Sequence, residues 1–284
     1  MKFPTYDISK YTVRQLVMLP LVLLVISFLF LGFNTLTTGM PVSPGIDFAG
    51  GVAVTIPPME ESQADIEAYF FGYPLKSIGE GMNGGYYVVF EIMPDEDFLT
   101  LTELIDARYP GAKVDQIGET FGKTLQSQAL LALLFSFIGM AIIVFLVFKT
   151  VVPSIAVVLA ALSNIIITAS LMNVVGLTLS LGTTAALLML IGYSVDSDIL
   201  LTTRVLKRKG KFSEKIQGAF RTGFTMTSTT ISAVALMLIV SWIGQIDIIR
   251  DISAVLLIGL FVDLMNTWML NVGILTWYVG GDKR

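Results

Sequence analysis

Two carboxylates set one residue apart, Asp196 and Asp198, stand in the inner half of an apolar run long enough to cross a bilayer. Asp196 lies about 9 Å from the centre of that run at helical rise. A central Asp disfavours insertion by roughly 2.5 to 3.5 kcal/mol, so acids kept inside a spanning helix usually face the interior of a bundle and handle ions. Positions two apart are separated by about 200° around a helix, so the two acids cannot share a face. Asp198 shares its face with Ser194 and Thr202, and Asp196 shares its own with Gly192 and Thr203. The competing reading places Asp198 near the interface, solvated and paired with Arg204.

The next apolar run opens on Arg221 and carries Thr222, Thr225, Thr227, Ser228, Thr229, Thr230 and Ser232, a stripe too polar for lipid and therefore expected to face inward. Arg221 enters the bilayer from the same side as the two acids, so its guanidinium can reach toward them. It can equally serve as an interfacial anchor. In the last apolar run Asp263 falls near the middle, with Asn266 close by on the same face, and by depth it is the costliest acid of the chain. Asn164, midway along another run, reads as a hydrogen bond between helices. Gly45-Ile46-Asp47-Phe48-Ala49-Gly50-Gly51 reads as a backbone device in which Gly50 and Gly51 permit tight approach, not as a catalytic centre.

The composition says what must position these groups. Apolar residues make up 54% of the chain and charged ones 14%, with a mean hydropathy of +0.78, so lipid is the solvent for most of the molecule. Cys and His are both absent. That removes thiolate metal sites and the commonest neutral-pH proton carrier, and leaves proton chemistry to carboxylates, with no cofactor and no metal expected. A net charge of -4 argues against a nucleic-acid partner.

Hydrophobic periodicity and length predict six transmembrane helices at 15–34, 124–148, 152–173, 179–203, 221–243 and 251–279. The cytoplasmic pieces are the N-terminus 1–14, a basic loop 204–220 and the tail 280–284, because every Lys and Arg cluster then lies inside. Residues 35–123 have the composition of a soluble domain and fall outside. Their order is strand Gly51 to Ile56, helix Glu61 to Phe71, strand Pro74 to Glu80, strand Gly85 to Ile92, helix Glu96 to Tyr109 and strand Ala112 to Gly118. This β-α-β-β-α-β pattern predicts a ferredoxin-like α+β domain, with Met82-Asn83-Gly84-Gly85 as its central turn.

Taken together, the Gly45 to Gly51 stretch, Ile117-Gly118 to Gly122, Ile191-Gly192-Tyr193-Ser194-Val195, and Arg221-Thr222 followed by Thr227-Ser228-Thr229-Thr230 resemble the SecF family of protein-export membrane proteins. That family belongs to the resistance-nodulation-division superfamily, and the pattern here is similar to its archaeal branch. Bacterial members read Gly-Tyr-Ser-x-Asn-Asp-Thr in the fourth helix, so their acid falls on Ser197 here, flanked by Asp196 and Asp198. The resemblance implies an accessory subunit of the Sec translocase in the cell membrane, working with SecD and the SecY channel on a translocating polypeptide and drawing on the proton gradient. No covalent chemistry is implied. Two other classes stay open: an exporter of small molecules or lipids from the same superfamily, and a passive scaffold for translocon assembly.

Overall fold

The computed structural model describes residues 12–80, 85–244 and 246–281. The chain order is α1 (Val13–Thr38), α2 (Ile46–Ala49), β1 (Gly51–Ile56), α3 (Gln63–Tyr69), β2 (Leu75–Glu80), β3 (Tyr86–Phe90), α4 (Asp95–Arg108), β4 (Lys113–Ile117), α5 (Glu119–Phe148), α6 (Val151–Val175), α7 (Leu181–Lys207), α8 (Phe212–Gly244), α9 (Asp247–Met265) and α10 (Val272–Gly281). Between α9 and α10 the chain makes a π turn over Asn266–Asn271 without leaving the helical path. Most of the expected hairpin turn, Met82, Asn83 and Gly84, lies outside the described residues.

Among the described residues, five helices are long and apolar enough to cross a membrane: α1, α5, α6, α7 and α8. The sixth apolar run is split by the π turn into α9 and α10, because polar Asp263, Asn266, Thr267 and Asn271 interrupt it. Burial sorts the helices into layers. α6 carries no charged residue and is largely buried, α7 is half buried, and α1, α5 and α8 leave most of their surface outward. Glycines set the closest crossings: a Cβ at Gly259 would stand 2.5 Å from Leu190 Cδ2, and one at Gly223 would stand 2.7 Å from Trp268. Small residues let spanning helices approach at such points.

The helices run past several of the expected span limits, most of all around the basic loop. α8 begins at Phe212, so the basic loop 204–220 contracts to Arg208, Lys209, Gly210 and Lys211 between two helices. Lys and Arg are good helix formers, and Glu214 sits favourably in the first turn of α8. Polarity ends a membrane span but does not end a helix.

The sheet runs β2-β3-β1-β4 with every neighbour antiparallel. Val52, Val54 and Ile56 on one face of β1 lie opposite Phe90, Val88 and Tyr86 of β3. With Ile66 and Phe70 at α3, Leu101 and Ile105 on α4, and Tyr109 just beyond it, they form a core that excludes water. Val52, Val54 and Ile56 stand two apart on β1, as Tyr86, Val88 and Phe90 do on β3, so the two-residue period puts each set on one face of the sheet. Glu61 ties this layer: Arg108 Nη2 donates to it at 2.8 Å and Tyr109 Oη at 3.0 Å. The opposite face turns toward the start of α9. There Tyr87 is pushed up to about 12 by burial first, then by the negative charges of Asp247, Asp47, Asp115 and Asp251.

Candidate functional site

α7 presents one polar stripe to the interior. Ser194, Asp198 and Thr202, spaced four apart, are all buried. Facing it, the end of α9 and the π turn present Asp263, Thr267 and Asn271 at the same spacing, also buried. Asn271 Nδ2 donates to Asp198 Oδ1 at 2.8 Å. The Thr267 side chain borders both carboxyls and Ser194 borders Asp263. Contacts therefore advance in the same direction along both elements, which means that α7 and the α9–α10 run pack parallel.

Thr267 and Asn271 both lie in the π turn, and such wider i→i+5 turns occur preferentially at functional sites. On its other side Asn266 accepts a hydrogen bond from Ser163 Oγ of α6 at 3.1 Å. Asn164 lies beside that contact in sequence and accepts from Thr168 on its own helix, at 3.4 Å. It makes no hydrogen bond between helices through that oxygen.

The Thr267 hydroxyl serves both carboxyls and the Ser194 hydroxyl serves Asp263, whereas Thr202 Oγ1 and Asn271 Oδ1 are buried without a hydrogen-bond partner among the described residues. Two ionised carboxylates buried side by side cost several kcal/mol unless a proton or another cation compensates them. Chemically the seam is suited to taking up and releasing positive charge.

The structure brings Asp198 and Asp263 together and separates them from the other two expected residues. Asp196 lies on the exposed face of α7, and Arg221 is exposed on α8. The charged neighbour acting on Asp198 is Asp263. Arg204 does not serve as the partner of Asp198; its guanidinium donates to the Gly218 carbonyl and, at 2.8 Å, to Thr222 Oγ1, closing the α7–α8 hairpin. The hydroxyl stripe of α8 also departs from expectation. Thr227 is buried, but Thr225 and Thr229 are exposed and bond to carbonyls of their own helix. A hydroxyl satisfied within its helix can face lipid or a partner without penalty.

Gly192 is exposed with no neighbour near its Cα hydrogen, and Tyr193 is 37% exposed. Both therefore lie on an outward face of α7. The Gly45 to Gly51 stretch is a strap. Gly45 N–H donates to the Leu179 carbonyl and Leu179 N–H to the Ser43 carbonyl, both at 2.8 Å. Asp47 Oδ2 accepts from Leu181 N–H at 2.9 Å, satisfying one orphan donor at the start of α7. Phe48 is buried, and its carbonyl lies so close to Gly122 that a Cβ there would come within 2.9 Å. Gly50 and Gly51 adopt φ of 77° and 131°, and a Cβ on Gly51 would meet the Phe90 carbonyl at 2.5 Å. The strap thus fastens the sheet, α5 and the head of α7 at one point.

A family model described as protein export membrane protein SecD/SecF, C-terminal, matches residues 99–281. The protein-export membrane protein SecF of Methanolacinia petrolearia is 63% identical over 97% of each chain. The SecF proteins of Haloferax volcanii and Pyrococcus furiosus are 44% and 39% identical, over 97% and 94% of this chain and 96% and 91% of theirs. This chain belongs to the SecF family. Its fold is similar to that of SecDF, a translocon-associated membrane protein from Thermus thermophilus, with a TM-score of 0.75 at 21% identity. That match covers 97% of this SecF-family chain and 39% of the longer SecDF chain.

Sequence reasoning missed the parts played by Thr267 and Asn271. Their signal was present as polar residues four apart, in line with Asp263, in a run otherwise apolar.

Proposed function

We propose that this SecF-family chain is an accessory subunit of a Sec-type translocase, which acts with SecD beside the SecY channel to assist polypeptides across the cell membrane. The proton gradient drives it. Six crossings leave both termini in the cytoplasm, and residues 35–123 form an extracytoplasmic domain of ferredoxin-like kind, a reading supported by the β2-β3-β1-β4 antiparallel order with two helices on one face. The likeness to SecDF supports SecD as the partner.

The observation that carries the reading is the buried Asp198–Asp263 seam. Arrival of a positive charge there changes what Asp198 offers to Asn271, and hence the fit of α7 against the π turn. α7 is fastened by Asp47 to the strap beneath the sheet, so a shift of α7 reaches the domain that meets the emerging chain. Asp196 and Arg221 lie outward, where SecD can seat, and in this reading they register the seam's state across that interface. Their exposure together with the outward hydroxyls of α8 also supports a second reading, a docking scaffold in which no ion moves.

Reconstitution with the SecD partner and the SecY complex in proteoliposomes tests the choice. An imposed pH gradient is expected to accelerate release of translocated chain, and Asp198→Asn is expected to abolish that acceleration. Release that ignores the gradient, with assembly intact, leaves the scaffold as the better account.

A further inference from the structure

Gly273 lets α10 close on α1, for a Cβ there would collide with the Val17 side chain. Beside this crossing lies an open groove of about 620 Å³, walled by apolar atoms alone. That is the size of a small-ligand pocket, for which about 300 to 1,000 Å³ is usual. α1 lines it from Val13 to Ile26, and α10 adds Ile274 and Trp277. The hollow has a cause in the sequence of α1. Pro20 stands inside the helix and lacks the N–H that would bond the Leu16 carbonyl. Its ring crowds that carbonyl, so the helix opens on the Pro20 side and bends toward the opposite face. Met18 and Val22, two residues either way, lie about 160° round the helix from Pro20 and hence on that face. Both are exposed and both line the groove.

Length and charge say what fits there. Residues 13–26 of a helix rise about 20 Å, while one leaflet of hydrocarbon is about 15 Å deep. The hollow therefore matches the reach of a lipid chain, whereas a partner's spanning helix would need a seat through the whole core of about 30 Å. Arg14 lies two residues before the apolar run that begins at Leu16, so its stem lines the groove while its guanidinium sits where hydrocarbon meets water. No carboxylate pairs with it among the described residues. Trp277, one turn past Gly273, is of the residue type that settles at that boundary. We propose that this groove holds one membrane lipid with an anionic headgroup, its chain lying along Met18, Val22 and Ile26 against Trp277 and its phosphate on Arg14. The planar fork of a guanidinium matches two phosphate oxygens at once, and basic pockets between spanning helices take anionic headgroups in this manner. A lipid seated there bridges the first and last helices and steadies α10 where it follows the π turn. The proposal stands apart from ion coupling and asks only that α1 cross the bilayer, for which its length and apolar character suffice.

Of the three Trp residues Trp268 is buried, so Trp242→Phe leaves Trp277 as the exposed indole. The test uses that full-length chain in nanodiscs of phosphatidylcholine, doped with lipid brominated on its chains, and reads contact as quenching of Trp277 fluorescence. Brominated phosphatidylglycerol is expected to quench at a mole fraction about fivefold below that needed with brominated phosphatidylcholine, the effect of one cation near a membrane surface. Arg14→Gln is expected to erase this preference and Arg14→Lys to keep part of it. Val22→Phe, which fills the hollow and leaves the charge alone, is expected to weaken quenching by phosphatidylglycerol. Equal quenching by the two lipids marks ordinary lipid contact and overturns the proposal, as does a preference that survives both Arg14→Gln and Val22→Phe. If inorganic phosphate at constant ionic strength abolishes the preference, the site takes a free anion and no lipid, and the proposal fails. A preference lost when SecD shares the nanodisc assigns the groove to the partner's helix and overturns it as well. None of these failures touches the translocase reading, which is tested by chain release.

Discussion

Asp196 and Asp198 differ in what surrounds them, not in chemistry, and that decides their expected effects. Asp198 is buried among oxygens, whereas Asp196 faces outward on α7. Asp198→Asn and Asp263→Asn are each expected to abolish gradient-driven chain release, a loss of at least tenfold, while Asp196→Asn leaves the isolated chain's unfolding temperature within about 1 °C, as for surface changes generally. If Asp196→Asn removes gradient response and Asp198→Asn does not, the assignment is reversed. A one-residue difference in position was legible as a difference of face. Which face looked inward was not, because apolar residues surround both acids and the periodicity offers no single stripe. In the domain built on the sheet, Tyr109 is pushed up to about 12, mainly by burial and then by its hydrogen bond to Glu61. A folded value above the ordinary tyrosine value near 10 means that this contribution is full below pH 10 and is lost as pH rises toward 12. Tyrosinate absorbance of the chain, compared with Tyr109→Phe, is expected to show one phenol ionising near 12.

At the scale of elements, the strap is the part whose role was only half legible. Gly50 and Gly51 announced close approach, and the structure places the Phe90 carbonyl against Gly51 as that reading requires. Nothing in the local sequence disclosed that Asp47 reaches Leu181, 134 residues on. Contacts between distant segments carry no local period, so propensity and patterning cannot reveal them. Removing the carboxylate strips a hydrogen bond and a negative charge from the positive end of a helix, worth about 1 kcal/mol. Asp47→Ala is therefore expected to lower the unfolding temperature by a few degrees, and Asp47→Asn to recover part of it. Hydrogen exchange at the first turn of α7 reads the effect directly. Unchanged exchange there sets the cap aside as a source of stability. The sheet and its helices were legible to within two residues, since β-branched and aromatic runs mark β1 and β3 and Gly, Pro and Asn mark the turns between elements. The π turn was not, for it looks in sequence like a few misplaced polar residues.

For the whole molecule, the orientation we propose rests on charge. Lys207, Arg208, Lys209 and Lys211 cluster where α7 gives way to α8, and such clusters remain on the cytoplasmic side. A cysteine replacing Lys209 is expected to resist an impermeant maleimide in intact cells and to react once the membrane is opened, while one at Phe71, which is 90% exposed in the domain built on the sheet, is expected to react in both. The reverse pattern inverts the topology. One further consequence concerns the order in which the chain is made. Asp198 and Asn271 are 73 residues apart, so the helix bearing the acid leaves the ribosome well before its partner. At 5 to 20 residues per second the wait is roughly 4 to 15 s. During that interval α7 has neither Thr267 nor Asn271 beside it, and an unaccompanied acid makes a spanning helix reluctant to stay in lipid. A nascent chain arrested at Gly244 is thus the form most dependent on an insertase or membrane chaperone, and the synthesis of the final helix is the event that releases it.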